Sequence, residues 1–290
     1  MGDEKPACRL VAVDGNGTLL GADGSVSEDT RSVIQRLEAK GIPVVLATAR
    51  PFEKAKATLA SAGMGHYALT ENGARAVRIS DGSAVWERWL EGHLVAGVLR
   101  RVKEHWPGAH LAQLTSCGGL LEEGHPWLKE PDSKEAAEKI FRTKVPDVVE
   151  ELAKGGSCAK TYVHLPEAAD FPAAMQELQG LLGDGWELRE IKQLLPKTFN
   201  TCEVQSCLVN KAEGLAQLCQ TIGVPMENVW AFGDDANDRR MLSEVGWGVR
   251  MANHLPALGG IGKDVTELTN EEDGVAKYLE KHLLNGEPVS

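Results

Sequence analysis

The chain opens on a run of apolar residues, Leu10-Val11-Ala12-Val13, which is rich in Val, too short for a helix and therefore predicts a fully buried strand. It leads directly into Asp14-Gly15-Asn16-Gly17-Thr18. Next, Ser25-Val26-Ser27-Glu28 carries an N-capping signature, and Val33, Ile34 and Leu37 give the predicted helix one apolar face before Gly41 stops it. Pro43-Val44-Val45-Leu46-Ala47 predicts a second buried strand, ending at Thr48-Ala49-Arg50-Pro51. Residues 52–62 read as a helix closed by Gly63, and Tyr67-Ala68-Leu69-Thr70 as a third strand leading to Glu71-Asn72-Gly73-Ala74. Strand and helix alternate here, the signature of a parallel sheet built from crossover connections.

From about residue 75 the rhythm changes. Arg75–Ile79 and Ala84–Trp86, joined by Ser80-Asp81-Gly82-Ser83, predict a hairpin. Helices are expected near 91–105, 132–141, 146–154 and 167–182, and strands at Lys160–Leu165, Trp186–Ile191 and Phe199–Gln205. Hairpins mixed with helices describe an α+β unit inserted into the α/β pattern. Alternation resumes with a helix opened by Val209-Asn210-Lys211 and a strand Asn228–Phe232, which runs into Gly233-Asp234-Asp235-Ala236-Asn237-Asp238. A helix carrying Met241 and Leu242, a strand at Gly246–Met251 and a closing helix near 273–284 complete the chain. The expected fold class is α/β, a Rossmann-like core of residues 1–74 and 208–290 with helices on both faces of a parallel sheet, interrupted by an α+β domain at 75–207.

Composition narrows the function. With 42% hydrophobic and 25% charged residues over 290 positions, the chain is an ordinary globular protein large enough for two domains. A net charge of −11 without any evident basic face argues against nucleic acid as a partner. No apolar run reaches membrane-spanning length, and Met1–Pro6 has no signal-peptide core, so a cytoplasmic location is expected. The six cysteines, including Cys117, Cys202 and Cys207, form no C-x-x-C pair and read as packed thiols.

The strand ends carry the chemistry. In open α/β sheets ligands bind at the carboxyl edge, and three such ends present Asp14, Thr48 and the group Asp234, Asp235 and Asp238, with Lys211 at a helix start. Clustered acids raise one another's pKa unless a cation intervenes, and oxygen ligands without His or Cys select a hard ion such as Mg2+. A carboxylate nucleophile, a dication, a hydroxyl and a lysine are what phosphoryl transfer requires: positioning and neutralised charge.

The order Asp14-Gly15-Asn16-Gly17-Thr18, then Thr48, then Lys211, then Gly233-Asp234-Asp235-Ala236-Asn237-Asp238 with Met241-Leu242 resembles the haloacid dehalogenase superfamily. Glu71-Asn72-Gly73-Ala74, Met251-Ala252-Asn253 and Asn270–Ala276 resemble its Cof-type sugar-phosphate phosphatase branch, and the matches span nearly the whole chain. The resemblance implies that Asp14 is the nucleophile, forming a phospho-aspartate. It further implies that Thr48 and Lys211 hold phosphoryl oxygens, and that Mg2+ is bound by Asp14, the main-chain carbonyl of Asn16 and Asp234, with Asp238 close behind and Asp235 acting through water. Asn237 would bond the phosphate or orient Lys211, while Arg50, Asn72 and Gly73 would face a cap domain that closes over a small phosphorylated metabolite such as a sugar phosphate.

One position departs from the family pattern. The residue two after the nucleophile, an Asp that serves as general acid and base in active members, is Asn16. An amide exchanges no proton near neutral pH, a loss commonly worth about 10²–10⁴-fold in rate. Three readings stay open: an active enzyme carrying an introduced Asp→Asn change, a natural pseudophosphatase, or a transferase tuned to a slow phospho-enzyme. The competing function class is a non-catalytic protein of the same fold that binds a phospho-ligand or serves in an assembly. His254 is a candidate site-lining residue, and Trp86, Trp89, Trp106, Trp127 and Trp186 are expected to pack the insert.

Overall fold

The computed structural model describes residues 5–115, 118–129, 131–165, 168, 170–191 and 200–284, for Asp132 the backbone alone. Cys117 and Phe199 lie outside the described residues. The chain divides into two compact units, one of Met1–Arg88 with Asn210–Ser290 and the other of Trp89–Val209.

The first unit begins with strand β1 (Leu10–Val13), helix α1 (Glu28–Ala39), β2 (Val44–Ala47), α2 (Phe52–Ala62), β3 (Tyr67–Thr70), β4 (Arg75–Arg78) and β5 (Ala84–Glu87). Local signals act as expected. The Ser27 hydroxyl accepts the Thr30 N–H at 3.0 Å to cap α1, and Gly63 ends α2 at φ 71°.

The second unit holds β6 (Leu90–Glu91), α3 (Gly92–His105), β7 (His110–Thr115), β8 (Gly118–Glu122), α4 (Pro131–Ile140), β9 (Thr143–Val145), α5 (Val148–Ala153), β10 (Ser157–His164), α6 (Phe171–Leu182), β11 (Trp186–Glu190) and β12 (Thr201–Ser206). Its sheet runs in the order β11-β12-β10-β7-β8-β9, with β6 also paired to β10. One buried cluster joins α3, α5 and α6 through Leu99, Leu152 and Leu178. Another contains Trp127, Phe141 and Tyr162, with the Trp127 and Phe141 rings stacked at 5.7 Å.

The chain returns to the first unit with α7 (Lys211–Ile222), β13 (Val229–Gly233), α8 (Arg239–Glu244), β14 (Trp247–Arg250), β15 (Asp264–Val265) and α9 (Gly274–Leu279). The core sheet runs β15-β14-β13-β1-β2-β3-β4-β5, parallel from β15 to β3 and antiparallel beyond. β1 is central because all four of its residues are apolar and buried. Val11 and Val13 share one cluster with Val33, Ile34 and Leu37 of α1 and Leu59 of α2. Leu10 and Ala12 share the other with Leu215 and Leu218 of α7 and Met241 of α8. Burial on both faces is what a parallel sheet requires, and it explains the unbroken hydrophobic run. Among the described residues no helix is long and apolar enough to cross a membrane.

The boundary of the insert differs from the expected 75–207. The hairpin β4–β5 extends the core sheet, with Leu69 opposite Ala76 and Ala76 opposite Trp86, so the insert begins at Trp89. Trp86 therefore packs on the core cluster with Leu69 and Ala76 rather than in the insert. A hairpin's alternation marks it as strand but does not say which sheet it joins.

Candidate active site

Asp14 follows β1 at the carboxyl edge of the core sheet and is only 7% exposed. The loop after it is tight: the Leu19 N–H donates to the Gly15 carbonyl at 3.0 Å and the Leu20 N–H to the same oxygen at 2.9 Å. Gly17, at φ 76°, has no substitute here, since a Cβ on it would lie 2.3 Å from Asp234 Oδ2. The loop is thereby pressed against the end of β13, where the Thr18 hydroxyl donates to Asp234 Oδ1 at 2.7 Å.

Lys211 starts α7 and is completely buried. Asn210 before it caps the helix, its Oδ1 accepting the Glu213 N–H at 3.0 Å. The Lys211 ammonium donates to Asp14 Oδ1 and, at 2.6 Å, to Asp238 Oδ1. Asp238 is itself pinned, its Oδ2 accepting the backbone N–H groups of Asp234 and Asp235 at 3.1 Å each. Thus Asp238, not Asn237, orients the lysine. Asn237 instead donates through Nδ2 to Asn72 Oδ1 at 2.9 Å, and Asp235 caps the short 3-10 turn Ala236–Asp238 by accepting the Ala236 N–H.

Charge at this edge is unbalanced. Oxygen atoms of Asp14, Asp234 and Asp238 lie within 4.8 Å of one another, with Lys211 as the cation bonded among them. Burial lifts the Asp14 carboxyl well above the usual carboxylate range, and the Asp238 and Asp234 charges add to this against the pull of Lys211. Asp234 is pushed up to about 6, first by burial and then, against the Thr18 hydrogen bond, by the Asp238 and Asp235 charges. Lys211 moves up as well: burial opposes its charge, and the two carboxylates more than offset that. An acidic rim with too little positive charge is suited to a hard cation.

Thr48, after β2, completes the edge. A Cβ on Gly15 would sit 3.6 Å from Thr48 Oγ1, which accepts the Arg50 N–H at 3.1 Å. The Arg50 guanidinium reaches back and donates to Asn16 Oδ1 at 2.6 Å. The turn Glu71–Gly73 is held against the start of α7, with Glu71 at φ 48° and Asn72 at φ 57°, and a Cβ on Gly73 would fall 2.1 Å from the Asn210 carbonyl. Positive φ at two non-glycine residues is strain that functional sites commonly hold.

Three supporting residues stand in the sequence motifs without a role of their own. Thr18 steadies Asp234, Asn210 caps the lysine helix, and Asn253 donates to the Gly17 carbonyl at 2.8 Å. The signals that could have found them are local: Thr18 is the last member of the Asp14 motif, and Asn253 belongs to the chain's closing motif. His254 hydrogen-bonds the Met251 carbonyl through Nδ1 at 2.6 Å.

The family model for haloacid dehalogenase-like hydrolases matches residues 11–279. The chain is 28% identical over 293 residues to the 5-amino-6-(5-phospho-D-ribitylamino)uracil phosphatase YitU of Bacillus subtilis, covering 94% of this chain and 97% of that protein. It is 29% identical over 287 residues to the HMP-PP phosphatase of Serratia proteamaculans, covering 95% of each. In fold it is similar to a haloacid dehalogenase-like hydrolase from Bacteroides thetaiotaomicron, with a TM-score of 0.72, 23% identity and coverage of 94% of this chain and 99% of that one. A motif order and a family match that both span nearly the whole chain place it among the haloacid dehalogenase-like hydrolases, in their Cof-type branch.

Proposed function

We propose that this protein is a Mg2+-dependent phosphatase, a phosphoric monoester hydrolase of a small phosphorylated metabolite. The observation that carries the reading is the joining of Asp14, Lys211 and Asp238 beside Asp234, at the sheet edge where ligands bind. The relatives support the substrate class, since both are named as phosphatases of small phosphorylated compounds.

In this reading a carboxylate oxygen of Asp14 attacks phosphorus and forms a phospho-aspartate. Lys211 and Thr48 hold the transferring oxygens, and Arg50, Asn72, Gly73 and Asn237 contact the substrate. Asp14, Asp234 and the main-chain carbonyl of Asn16 hold the metal. The donor set fits: all its members are oxygen, and the carboxylates of Asp14, Asp234 and Asp238 converge with Lys211 as the cation bonded among them. Mg2+, when bound, supplies charge neutralisation for the phosphoryl group. Asp238 acts by fixing Lys211, because three hydrogen bonds already engage its two oxygens. Asp235 stands behind as a capping acid.

Asn16 weakens both half-reactions by removing a titrating group. Its engagement by Arg50 supports a second reading, a non-catalytic protein of this fold that binds a phospho-ligand. Assaying an aryl phosphate with Mg2+, using the protein, its Asn16→Asp variant and its Asp14→Asn variant, decides between them. Turnover that is raised by Asn16→Asp and abolished by Asp14→Asn is the expected result. Silence in all three, with retained binding of phosphate, selects the non-catalytic reading.

A further inference from the structure

The groups gathered beside Asp14 stabilise negative charge, yet they are poorly equipped to release a proton. Arg50 can only donate hydrogen bonds, so the Asn16 atom it meets at 2.6 Å must be the amide oxygen. The Nδ2 N–H groups of Asn16 can donate hydrogen bonds to an oxyanion but release no proton near neutral pH. Lys211 is held cationic between two carboxylates, and the Thr18 hydroxyl is committed to Asp234. Guanidinium, amide and pinned ammonium favour an anion that forms next to them without protonating it.

From this arrangement we infer the substrate class: phosphorylated compounds whose leaving group departs as a stable anion, namely acyl phosphates, phosphoanhydrides, and aryl or enol phosphates, in preference to alkyl phosphate esters. The inference rests on the phospho-aspartate reading of Asp14 and narrows it. In the first step the Asp14 oxygen bonds to phosphorus as the bond from phosphorus to the leaving oxygen breaks, and the electron pair departs on that oxygen. An alkoxide needs a proton at that moment. A carboxylate, phosphate, phenolate or enolate does not, and the Arg50 charge steadies it. In the second step a water oxygen bonds to phosphorus, the bond to Asp14 breaks to restore its carboxylate, and the water proton passes to bulk solvent. Asn16 supplies no base for that attack, so the phospho-aspartate persists.

The test compares the protein with its Asn16→Asp variant on acetyl phosphate, 4-nitrophenyl phosphate, phenyl phosphate and glycerol 3-phosphate, all with Mg2+. Acid quenching and mass spectrometry of Asp14 are run alongside. The expected result is a kcat/KM that falls steeply along that series for the protein itself and weakly for Asn16→Asp. The ratio of the two then grows from near unity on acetyl phosphate to about 10²–10⁴-fold on the alkyl ester. Phosphorylated Asp14 should accumulate in the parent protein and not in the variant. Arg50→Ala should slow the parent on the aryl phosphates while leaving the steepness of the series intact or greater. A ratio that stays constant from acetyl phosphate to glycerol phosphate, while Asp14 is phosphorylated, overturns the inference alone. If neither protein turns over any of the compounds or carries phosphate on Asp14, the phosphatase reading falls, and this inference falls with it.

Discussion

Asp238 holds Lys211 at 2.6 Å with one carboxylate oxygen while its other oxygen accepts the backbone N–H groups of Asp234 and Asp235. Both side chains of the pair are fully buried. One acid thus fixes the lysine that touches Asp14 and also shapes the loop that presents Asp234. Removing Asp238 leaves Lys211 paired with Asp14 but strips two loop amides of their acceptor, which typically costs about 1–3 kcal/mol. Asp238→Ala should lower stability by that order in urea unfolding. Asp238→Asn, which keeps an acceptor for the loop amides, should cost less and still lose most activity, because the lysine is no longer steered. Equal stability losses in the two variants would show that the charge, rather than the acceptor for the loop amides, holds the loop.

Gly73 supplies a second prediction. Its φ is 100°, and a Cβ at this position would lie 2.1 Å from the Asn210 carbonyl oxygen, so there is no room for a side chain. Gly73→Ala should cost about 1–3 kcal/mol from the backbone conformation alone, with the steric overlap adding to it. The start of α7 must move to relieve that overlap, so Lys211 shifts with it. Activity should therefore fall further than the stability loss predicts, which parallel unfolding and kinetic measurements on the variant will check.

Much of this was legible in the sequence because the relevant signals are local. The Val-rich runs of β1 and β2 name buried strands, and a strand that ends on Asp14 or Thr48 puts that residue on the ligand edge whatever lies between. Ser27 and Gly63 mark helix ends through bonds that span a few residues. What stayed hidden depends on tertiary choice. The β4–β5 hairpin could extend either sheet, and only its register on β3 decides for the core. The contact of Arg50 with Asn16 joins two loops and leaves no periodic trace. That Asp238 rather than Asn237 meets Lys211 turns on how a single short turn winds, which spacing does not encode.

A third prediction concerns His125 in the insert. It is completely buried, its Nδ1 accepts the Trp127 N–H at 3.3 Å, and its ring lies 5.8 Å from that of His110 and 5.7 Å from that of His164. Burial, then the neighbouring His164, His110 and Lys103, depress its pKa from 6.5 to about 2. Glu122 is the acid of this neighbourhood, and it is already paired with Lys103 at 2.9 Å. The folded state therefore binds fewer protons than the unfolded state between these two values. Stability is fully present above 6.5 and is lost as the pH falls below it, by up to about 1.4 kcal/mol per pH unit. His125→Asn keeps an acceptor for the Trp127 amide and removes the titration. Its urea-unfolding free energy should fall less steeply between pH 6.5 and about 5 than that of the parent protein.

The last prediction concerns the end of the core sheet remote from Asp14, where Lys5 reaches into an aromatic enclosure. Its ammonium lies 4.7 Å from the ring centre of Tyr278, 5.2 Å from Trp247 and 5.8 Å from Trp230, and 3.3 Å from a carboxylate oxygen of Asp264. Trp230 and Trp247 are near the beginnings of β13 and β14, so the contact closes the edge opposite the reacting one. It also ties the chain's first described residue to α9 through the Tyr278 hydroxyl, which Lys5 meets at 2.9 Å. A partly desolvated cation over aromatic faces contributes about 0.5–2 kcal/mol. Lys5→Ala should lower stability by that order and change the fluorescence of the two tryptophans. Lys5→Arg should retain most of the stability, because a guanidinium also binds aromatic faces. Turnover should be unaffected in both, since the contact lies at the end of the strands remote from Asp14. A Lys5→Ala variant as stable as its parent, with unchanged tryptophan emission, would show that the rings pack equally well without the charge.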